Sequence, residues 1–213
     1  MIGNIIDVFI LTAAIFLFGI SHTFLASLKA KNFVKQNYPH LLPFYRLGYN
    51  LISILILYLF FIYLPQPDIT IYDLIKPFDF IILGFQILSL IGLIWTFQFF
   101  SSSEFLGISQ VVRWFKGNYD VNELDEKMTL KIEGPYRYMR HPVYFFSILF
   151  LIFRPYMDLT YLTLVIGFII YFYIGSYYEE KKLIEIFGDE YKSYQKKVPR
   201  IFPLKPFHPY NND

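Results

Sequence analysis

Two polar segments flank the last long apolar stretch of this chain, and they carry the side chains best suited to chemistry. Residues 134–144 supply arginine, histidine and tyrosine groups at the start of the stretch. The second segment begins with Glu179 and Glu180, where the stretch ends, and reaches Arg200. Polar groups held at both feet of a membrane hairpin can line a pocket at the membrane surface. Because an ordinary membrane anchor needs no such groups, the two segments indicate a functional site.

The composition places this chain among integral membrane proteins. Its 213 residues are 55% hydrophobic and 22% aromatic, and a soluble domain of this size cannot bury so much apolar surface. The net charge of only +2 argues against a strongly basic surface, so we expect no nucleic-acid partner. The absence of cysteine excludes disulfides, thiolate metal sites and a cysteine nucleophile.

Four apolar blocks predict the membrane helices. They cover about residues 5–25, 47–64, 80–100 and 143–178. Each of the first three matches the roughly 20 residues that cross a bilayer. The fourth is too long for one crossing and is interrupted by Pro155 between two charged residues, which predicts a hairpin with a short first arm. We therefore expect an all-α polytopic membrane protein with five transmembrane helices, the last two forming a hairpin, followed by a cytoplasmic helical segment. We treat residues 1–213 as a single domain.

The charges of the connecting segments predict the orientation. The first loop is basic and contains no acidic residue between Lys29 and Arg46, the next connection carries Asp68, Asp73 and Asp79, and the tail after residue 178 is rich in lysine. The positive-inside rule then places the amino terminus outside and the carboxyl terminus in the cytoplasm. The first block has no basic segment before it, so we expect a retained helix rather than a cleaved signal peptide. The composition suggests a bacterial inner membrane.

Residues 101–141 form the one sizeable polar region before the tail. Its 107–114 part predicts a helix lying in the membrane interface, with Trp114 at headgroup level. The acidic stretch at residues 123–126 predicts a solvated loop. This region lies on the same predicted side as Glu179, Glu180 and the tail, so the groups able to do chemistry should meet at the cytoplasmic face.

Each polar group near the hairpin has two interpretations. Arg137 and Arg140, with the backbone amides before Pro142, suit an anionic group such as a carboxylate, or the arginines simply anchor to lipid phosphates. His141 is a site residue or a satisfied interfacial histidine. Arg200 orients an anionic acceptor or contacts lipid headgroups.

The glutamate pair is less easily explained than the arginines or His141 as an ordinary solvent-exposed segment. That interpretation stays open because lysines follow the pair directly. Carboxylates at the end of an aromatic helix carry a desolvation cost unless they are wetted or paired. Glu179 and Glu180 suit an ammonium group or a ribose diol. The tyrosines around them can stabilise a cation or belong to an interfacial aromatic belt. His22, near the end of the first block, is a further site candidate because ionisable groups at that depth are rare.

Several familiar sites have no signature in this sequence. No glycine-rich loop follows a strand, so neither a Rossmann nor a P-loop nucleotide site is expected. No set of histidine and acidic residues has metal-ligand spacing, and no serine lies in a nucleophile elbow. We therefore expect no metal.

The polar segments resemble those of a membrane superfamily, the isoprenylcysteine carboxyl methyltransferases and phospholipid N-methyltransferases. The motifs that carry the resemblance are Gly134-Pro135-Tyr136, Arg140-His141-Pro142, Glu179-Glu180, Phe187-Gly188-Asp189-Glu190-Tyr191 and Val198-Pro199-Arg200. The amino-terminal half, at residues 22–27 and 45–50, is similar to the NnrU-like and methanethiol S-methyltransferase branches.

This resemblance implies S-adenosylmethionine as methyl donor, held at the cytoplasmic side by a cofactor-binding half of the domain that covers about residues 101–203. The positions that match the family's donor site are Leu130, Lys131, Tyr136, His141, Pro142, Tyr144, Glu179 and Glu180. In that family an arginine shortly before the glutamates helps to hold a prenylated-cysteine substrate, and this chain has no arginine there. The acceptor is therefore expected to be another thiol, carboxylate or amine of a small or lipidic molecule that enters from the membrane lipids.

Methyl transfer to a thiol or amine requires that a proton be removed, and His141, His22 and Glu180 are the candidate bases. His141 and Glu180 are taken as the catalytic residues, and His22 and Arg200 as residues that contact the acceptor. The alternative function is that of a non-catalytic NnrU-like protein that assists respiratory or denitrification complexes. A transporter is disfavoured because the charged groups gather at one face rather than at the midplane. The sequence predicts no oligomeric state.

Overall fold

The computed structural model describes residues 2–122 and 129–204, and it is mostly helical. The α-helices are α1 (Ile2–Ala26), α2 (Leu28–Asn37), α3 (Leu42–Tyr63), α4 (Phe78–Thr96), α5 (Ser102–Leu106), α6 (Ile108–Phe115), α7 (Pro142–Ile152) and α8 (Leu159–Lys197). Two 3₁₀ turns cover Pro39–Leu41 and Gly134–Arg137, and two short strands are β1 (Thr70–Asp73) and β2 (Tyr156–Asp158). The predicted acidic loop at residues 123–126 lies outside the described residues.

The prediction of an all-α polytopic membrane protein is confirmed. In the described ranges, four helices are long and apolar enough to cross a membrane: Ile5–Ala26, Pro39–Tyr63, Phe78–Thr96 and Leu159–Lys197. Helix α7 is apolar but has 11 residues, or about 16 Å at 1.5 Å per residue. The hydrocarbon core is about 30 Å thick, so the predicted short arm of the hairpin is about half a span long.

The chain divides into two compact units, and the first comprises residues 1–67 and 101–128. The segment that the sequence predicts as the first loop is largely helix α2. The Ser27 side chain accepts a hydrogen bond from the Ala30 amide and so caps the amino-terminal end of this helix. The predicted interfacial segment is also helical. Gly107, at φ +92°, ends α5 and begins α6, and Arg113 pairs with Glu104 across this turn.

The second unit comprises residues 68–100 and 129–213. The predicted break in the fourth apolar block is confirmed, since β2 lies there and pairs antiparallel with β1. The Asp158 carboxylate then caps α8 by accepting a 2.7 Å hydrogen bond from the Tyr161 amide. Helix α4 packs closely on α7, where Gly92 leaves room for the Phe146 ring.

Helix α8 bends at Gly188, which has φ +58° and ψ −129°. Only glycine adopts this combination without strain. The segment after the bend buries Tyr191, Tyr194 and Val198 in one cluster, and Ile132 packs against it. The predicted helical segment after the hairpin is therefore present, and it belongs to the second unit.

Candidate functional site

The first polar segment is fixed by its backbone. Gly134, at φ +53°, begins a 3₁₀ turn and lies against the Phe99 ring. Pro142 occupies the first turn of α7 and is buried, as its fixed φ favours. The amides of Arg140 and His141 donate 2.9 Å hydrogen bonds to the carbonyls of Pro199 and Arg200. These amides are used within the chain and are not the anion-binding amides suggested by the sequence.

Glu180 is the centre of a buried hydrogen-bond network, with a side chain only 3% exposed. Its Oε1 accepts from Arg140 Nε at 2.6 Å and lies 3.2 Å from His141 Nε2. Its Oε2 accepts from Gln195 Nε2 at 3.0 Å and from Arg200 Nε at 3.2 Å. A carboxylate has about four lone-pair sites, so these four groups satisfy it.

Arg140 joins this network to the segment beyond the bend in α8. Besides Glu180, its guanidinium donates to the carbonyls of Gln195, at 2.9 Å, and of Val198. A charged group inside a protein is stable only when it is paired and hydrogen-bonded. The bend at Gly188 is therefore what supplies the partners that allow Glu180 and Arg140 to be buried.

Glu179 has different surroundings, although it is the neighbouring residue. Its side chain is 42% exposed. Its Oε2 accepts a 2.9 Å hydrogen bond from the Tyr144 hydroxyl and lies 3.4 Å from His141 Nδ1. The Tyr144 ring is stacked between His141, at 5.2 Å, and Phe172, at 5.0 Å. This arrangement presents a half-exposed carboxylate beside a fixed aromatic ring.

Each ring nitrogen of His141 faces a carboxylate, Nδ1 toward Glu179 and Nε2 toward Glu180. Both nitrogens can donate only in the imidazolium form. Burial alone would lower the pKa of His141, but the hydrogen bonds and charges of the two glutamates outweigh it and raise that pKa above its ordinary value. Two carboxylates thus favour a cationic His141, which has no lone pair with which to act as a base.

The remaining positions predicted for the donor site lie in the same unit. Leu130 packs against the cluster of Tyr191, Tyr194 and Val198, whereas Lys131 is exposed. The carbonyl of Tyr136 accepts a hydrogen bond from the Tyr194 hydroxyl. Burial, together with the charge of Glu179, raises the pKa of Tyr136.

His22 belongs to the first unit, where its Nδ1 lies 2.7 Å from Ser53 Oγ. The Ser53 hydroxyl donates its proton to the Tyr49 carbonyl at 2.7 Å, so Nδ1 must be the donor to Ser53. The Nε2 atom of the neutral ring is then the basic nitrogen. The same unit contains a cavity of about 370 Å³ lined by residues that include Pro39, His40 and Trp114.

Sequence reasoning missed the contribution of Gln195. Its side chain donates to Glu180 and its carbonyl accepts from Arg140. The only signal was indirect: a glycine followed by a polar helix suggests a bend, but not which residue returns to the glutamates. Among the described residues there is no group of three or more histidine or acidic side chains placed to hold a metal.

Comparison with known proteins places this chain in a family. The chain is 30% identical over 193 residues to a methanethiol S-methyltransferase of a Pseudomonas strain, covering 89% of this chain and 70% of the relative. The enzyme of the same name from Crocosphaera subtropica is 29% identical over 88% of this chain and 71% of its own length. That from Pseudomonas deceptionensis is 28% identical over 98% and 76%.

No family model and no solved structure matches the chain significantly. These relatives are named as methyltransferases and do not favour the non-catalytic alternative. The apolar helices and the relatives agree with the resemblance carried by the polar motifs. The chain therefore belongs to the isoprenylcysteine carboxyl methyltransferase-like family of integral membrane methyltransferases, and it is an enzyme of that class.

Proposed function

We propose that this membrane methyltransferase takes its methyl group from S-adenosylmethionine and transfers it to a small thiol at the cytoplasmic face of a bacterial inner membrane. The thiol is favoured over a carboxylate or amine because the relatives are named for methanethiol. A lipidic thiol fits the same proposal. The observation that carries the proposal is the convergence of His141, Tyr144, Glu179 and Glu180 at the foot of the helical hairpin.

The residues present suit S-adenosylmethionine, which when bound supplies a methyl group on a positively charged sulfur. The side chain of Glu179 is more exposed than that of Glu180, so we assign Glu179 to the ammonium group or the ribose diol of the donor. The Tyr136 ring is assigned to the cationic sulfur, since an aromatic face stabilises a cation by about 0.5–2 kcal/mol. Tyr144, whose ring is stacked on both sides, contributes to the donor site through the hydroxyl that holds the Glu179 carboxylate. Leu130, Lys131 and Pro142 complete the proposed donor site.

The four hydrogen-bond partners of Glu180 change the role that the sequence suggested for it. With its lone pairs occupied, it is better suited to positioning His141 and Arg140 than to removing a proton. His141, held as an imidazolium between the two glutamates, orients the Glu179 carboxylate. The transfer itself then depends mainly on alignment of the reactants in a dry site.

A thiol acceptor must lose its proton before or during attack. Of the three candidate bases, His141 and Glu180 are occupied by the contacts described above, and His22 remains a candidate that the sequence alone predicts. Replacing His22 by glutamine should lower the turnover rate more than the affinity for the donor, and the loss should shrink at high pH, where the free thiol ionises by itself.

Calorimetric titration of the purified protein with S-adenosylmethionine tests the donor, and headspace chromatography of the methyl sulfide formed from methanethiol tests the acceptor. We expect Glu179→Gln to weaken donor binding about tenfold or more, because a hydrogen bond to a charged group contributes about 1.5–3 kcal/mol and about 1.4 kcal/mol is tenfold in affinity. Glu185→Gln removes an exposed carboxylate from the same helix and should have no effect. Folded protein that binds no donor at millimolar concentration would contradict the proposal, and donor binding without thiol methylation would redirect the search to amine and carboxylate acceptors.

We also propose five membrane segments, with α7 as the short fourth and the amino terminus outside. The support is the charge distribution of the connecting segments. Because the chain contains no cysteine, single cysteines can be introduced and labelled cleanly with an impermeant maleimide. Cysteine in place of Asp68 should be labelled in intact cells, and cysteine in place of Lys35 or Lys192 only after permeabilisation; the reverse pattern would overturn the orientation.

A further inference from the structure

The exposed face of α8 forms a continuous apolar stripe that ends in aromatic residues. Its members recur at spacings of three and four residues, as neighbours on one face of a helix do. They are Ile166, Ile170, Tyr173, Ile174, Tyr177 and Tyr178, and each is at least 46% exposed. In a membrane protein such a stripe faces lipid tails, and its tyrosine end lies at headgroup level.

Two cations lie on the tyrosine end of this stripe. Lys181 Nζ is 4.5 Å from the centre of the Tyr177 ring and 5.7 Å from that of Tyr178. The Arg200 guanidinium is 6.0 Å from the same Tyr177 ring and 5.8 Å from the ring of Tyr173. Both cations are within the distance at which an aromatic face attracts a positive charge. One ring therefore holds two like charges near each other.

These two cations have unused capacity for an anion. Lys181 is exposed and has no acidic partner within the described part of the chain. Arg200 is 30% exposed, and within the described residues its side chain donates to Glu180 through Nε alone. Its two terminal nitrogens can therefore donate to another acceptor. Like charges that share one ring repel each other, and an anion between them would remove that repulsion. A phosphate group also matches the forked donors of an arginine.

We propose that Lys181, Arg200 and Tyr177 bind the phosphate of an anionic phospholipid whose acyl chains lie along the stripe of α8. A lipid is chosen over free phosphate because the cations continue directly from an apolar face long enough for an acyl chain. The site does not depend on the methyl donor or the acceptor. It gives the exposed Arg200 a role on the outer surface of α8, in addition to its bond with Glu180.

The experiment counts the lipids retained by the purified full-length protein, by native mass spectrometry, after exchange into equal amounts of phosphatidylglycerol and phosphatidylcholine. We expect phosphatidylglycerol to be preferred. Lys181→Gln should lower that preference about fivefold, the usual contribution of one basic residue near an anionic membrane. Tyr177→Leu, which keeps the apolar stripe but removes the ring, should also lower it.

Lys192→Gln is the matched control, because Lys192 is an exposed lysine already paired with Asp189 at 2.8 Å. It should leave the lipid preference unchanged. Equal preference in the parent, Lys181→Gln and Tyr177→Leu proteins would overturn the proposal. Displacement of the retained phosphatidylglycerol by millimolar inorganic phosphate would also overturn it, since the site would then be one for free phosphate.

Discussion

Replacing each of the two adjacent glutamates by glutamine should lower stability by different amounts, and the variant that loses less stability should be the one with weakened donor binding. The two substitutions are chemically identical and occur at neighbouring positions of one helix. Their surroundings differ: the side chain of Glu180 is 3% exposed and that of Glu179 is 42% exposed. The comparison therefore separates the effect of a buried ion pair from that of an accessible carboxylate.

For Glu180→Gln, the amide nitrogen must face two donors whichever way the side chain is turned. One orientation places it against Arg140 Nε and His141 Nε2, and the other against Gln195 Nε2 and Arg200 Nε. Removal of one partner of a buried ion pair costs about 3–5 kcal/mol. Because Arg200 is 30% exposed and can turn toward water, we expect the free energy of unfolding to fall by the lower end of this range, about 3 kcal/mol.

For Glu179→Gln, the amide oxygen can still accept from the Tyr144 hydroxyl, and only the charge facing His141 is lost. A partly exposed ion pair contributes about 1 kcal/mol or less to the free energy of unfolding. We therefore expect a loss of about 1 kcal/mol at most, together with the weakened donor binding described above.

Denaturant unfolding in mild detergent, followed by tryptophan fluorescence, measures the free energy of unfolding of both variants and of the parent. Glu185→Gln is the control for loss of a carboxylate elsewhere in the helix. If the two glutamate variants lost equal stability, the assignment of Glu180 to a closed network would be wrong. A Gln195→Leu variant completes a double-mutant cycle with Glu180→Gln, and we expect the two losses to be clearly less than additive.

Three further predictions concern the imidazole, the bend and the helix packing. The free energy of unfolding should fall as pH rises above 6.5, the ordinary pKa of a histidine. The reason is that His141 keeps its imidazolium proton to higher pH in the folded protein than in the unfolded chain. In a His141→Gln variant this part of the pH dependence should vanish. Gly188→Ala should destabilise the protein by about 1–3 kcal/mol, since alanine is strained at φ +58°. Gly84→Ala is the control: this glycine is helical with nothing within 4 Å of the new methyl, so the change should be neutral or stabilising. Equal shifts in melting temperature for the two variants would contradict the prediction. Gly92→Ala places a Cβ in steric clash with the Phe146 ring and should lower stability by about 1–3 kcal/mol. Phe146→Leu should recover part of that stability, and no recovery would exclude the clash as the cause.

Much of the fold could be predicted from the sequence because its determinants are local. Apolar content and block length give the membrane class and the helices. Pro155 between two charges gives the break between α7 and α8, and Pro142 gives the start of α7. The extra helix α2 was not predicted, since its amphipathic, lysine-rich segment is as typical of a polar loop as of a helix.

The sequence also predicted that polar side chains at the two feet of the hairpin meet, and His141, Tyr144 and the two glutamates do lie together. It could not distinguish Glu179 from Glu180. Successive residues of a helix point about 100° apart, so one of two neighbours faces inward and the other outward, and nothing in the local sequence says which. The order was decided by the return of the chain at Gly188.

That return brings Gln195 and Arg200 to the inner carboxylate. The donors from this segment and from Arg140 and His141 offset the cost of burying the charge. Composition, periodicity and motif spacing thus determined what kind of protein this is and which side chains meet. The tertiary structure alone decided which carboxylate is closed within the protein and which remains open to a ligand, because hydrogen-bond saturation depends on partners far apart in the chain.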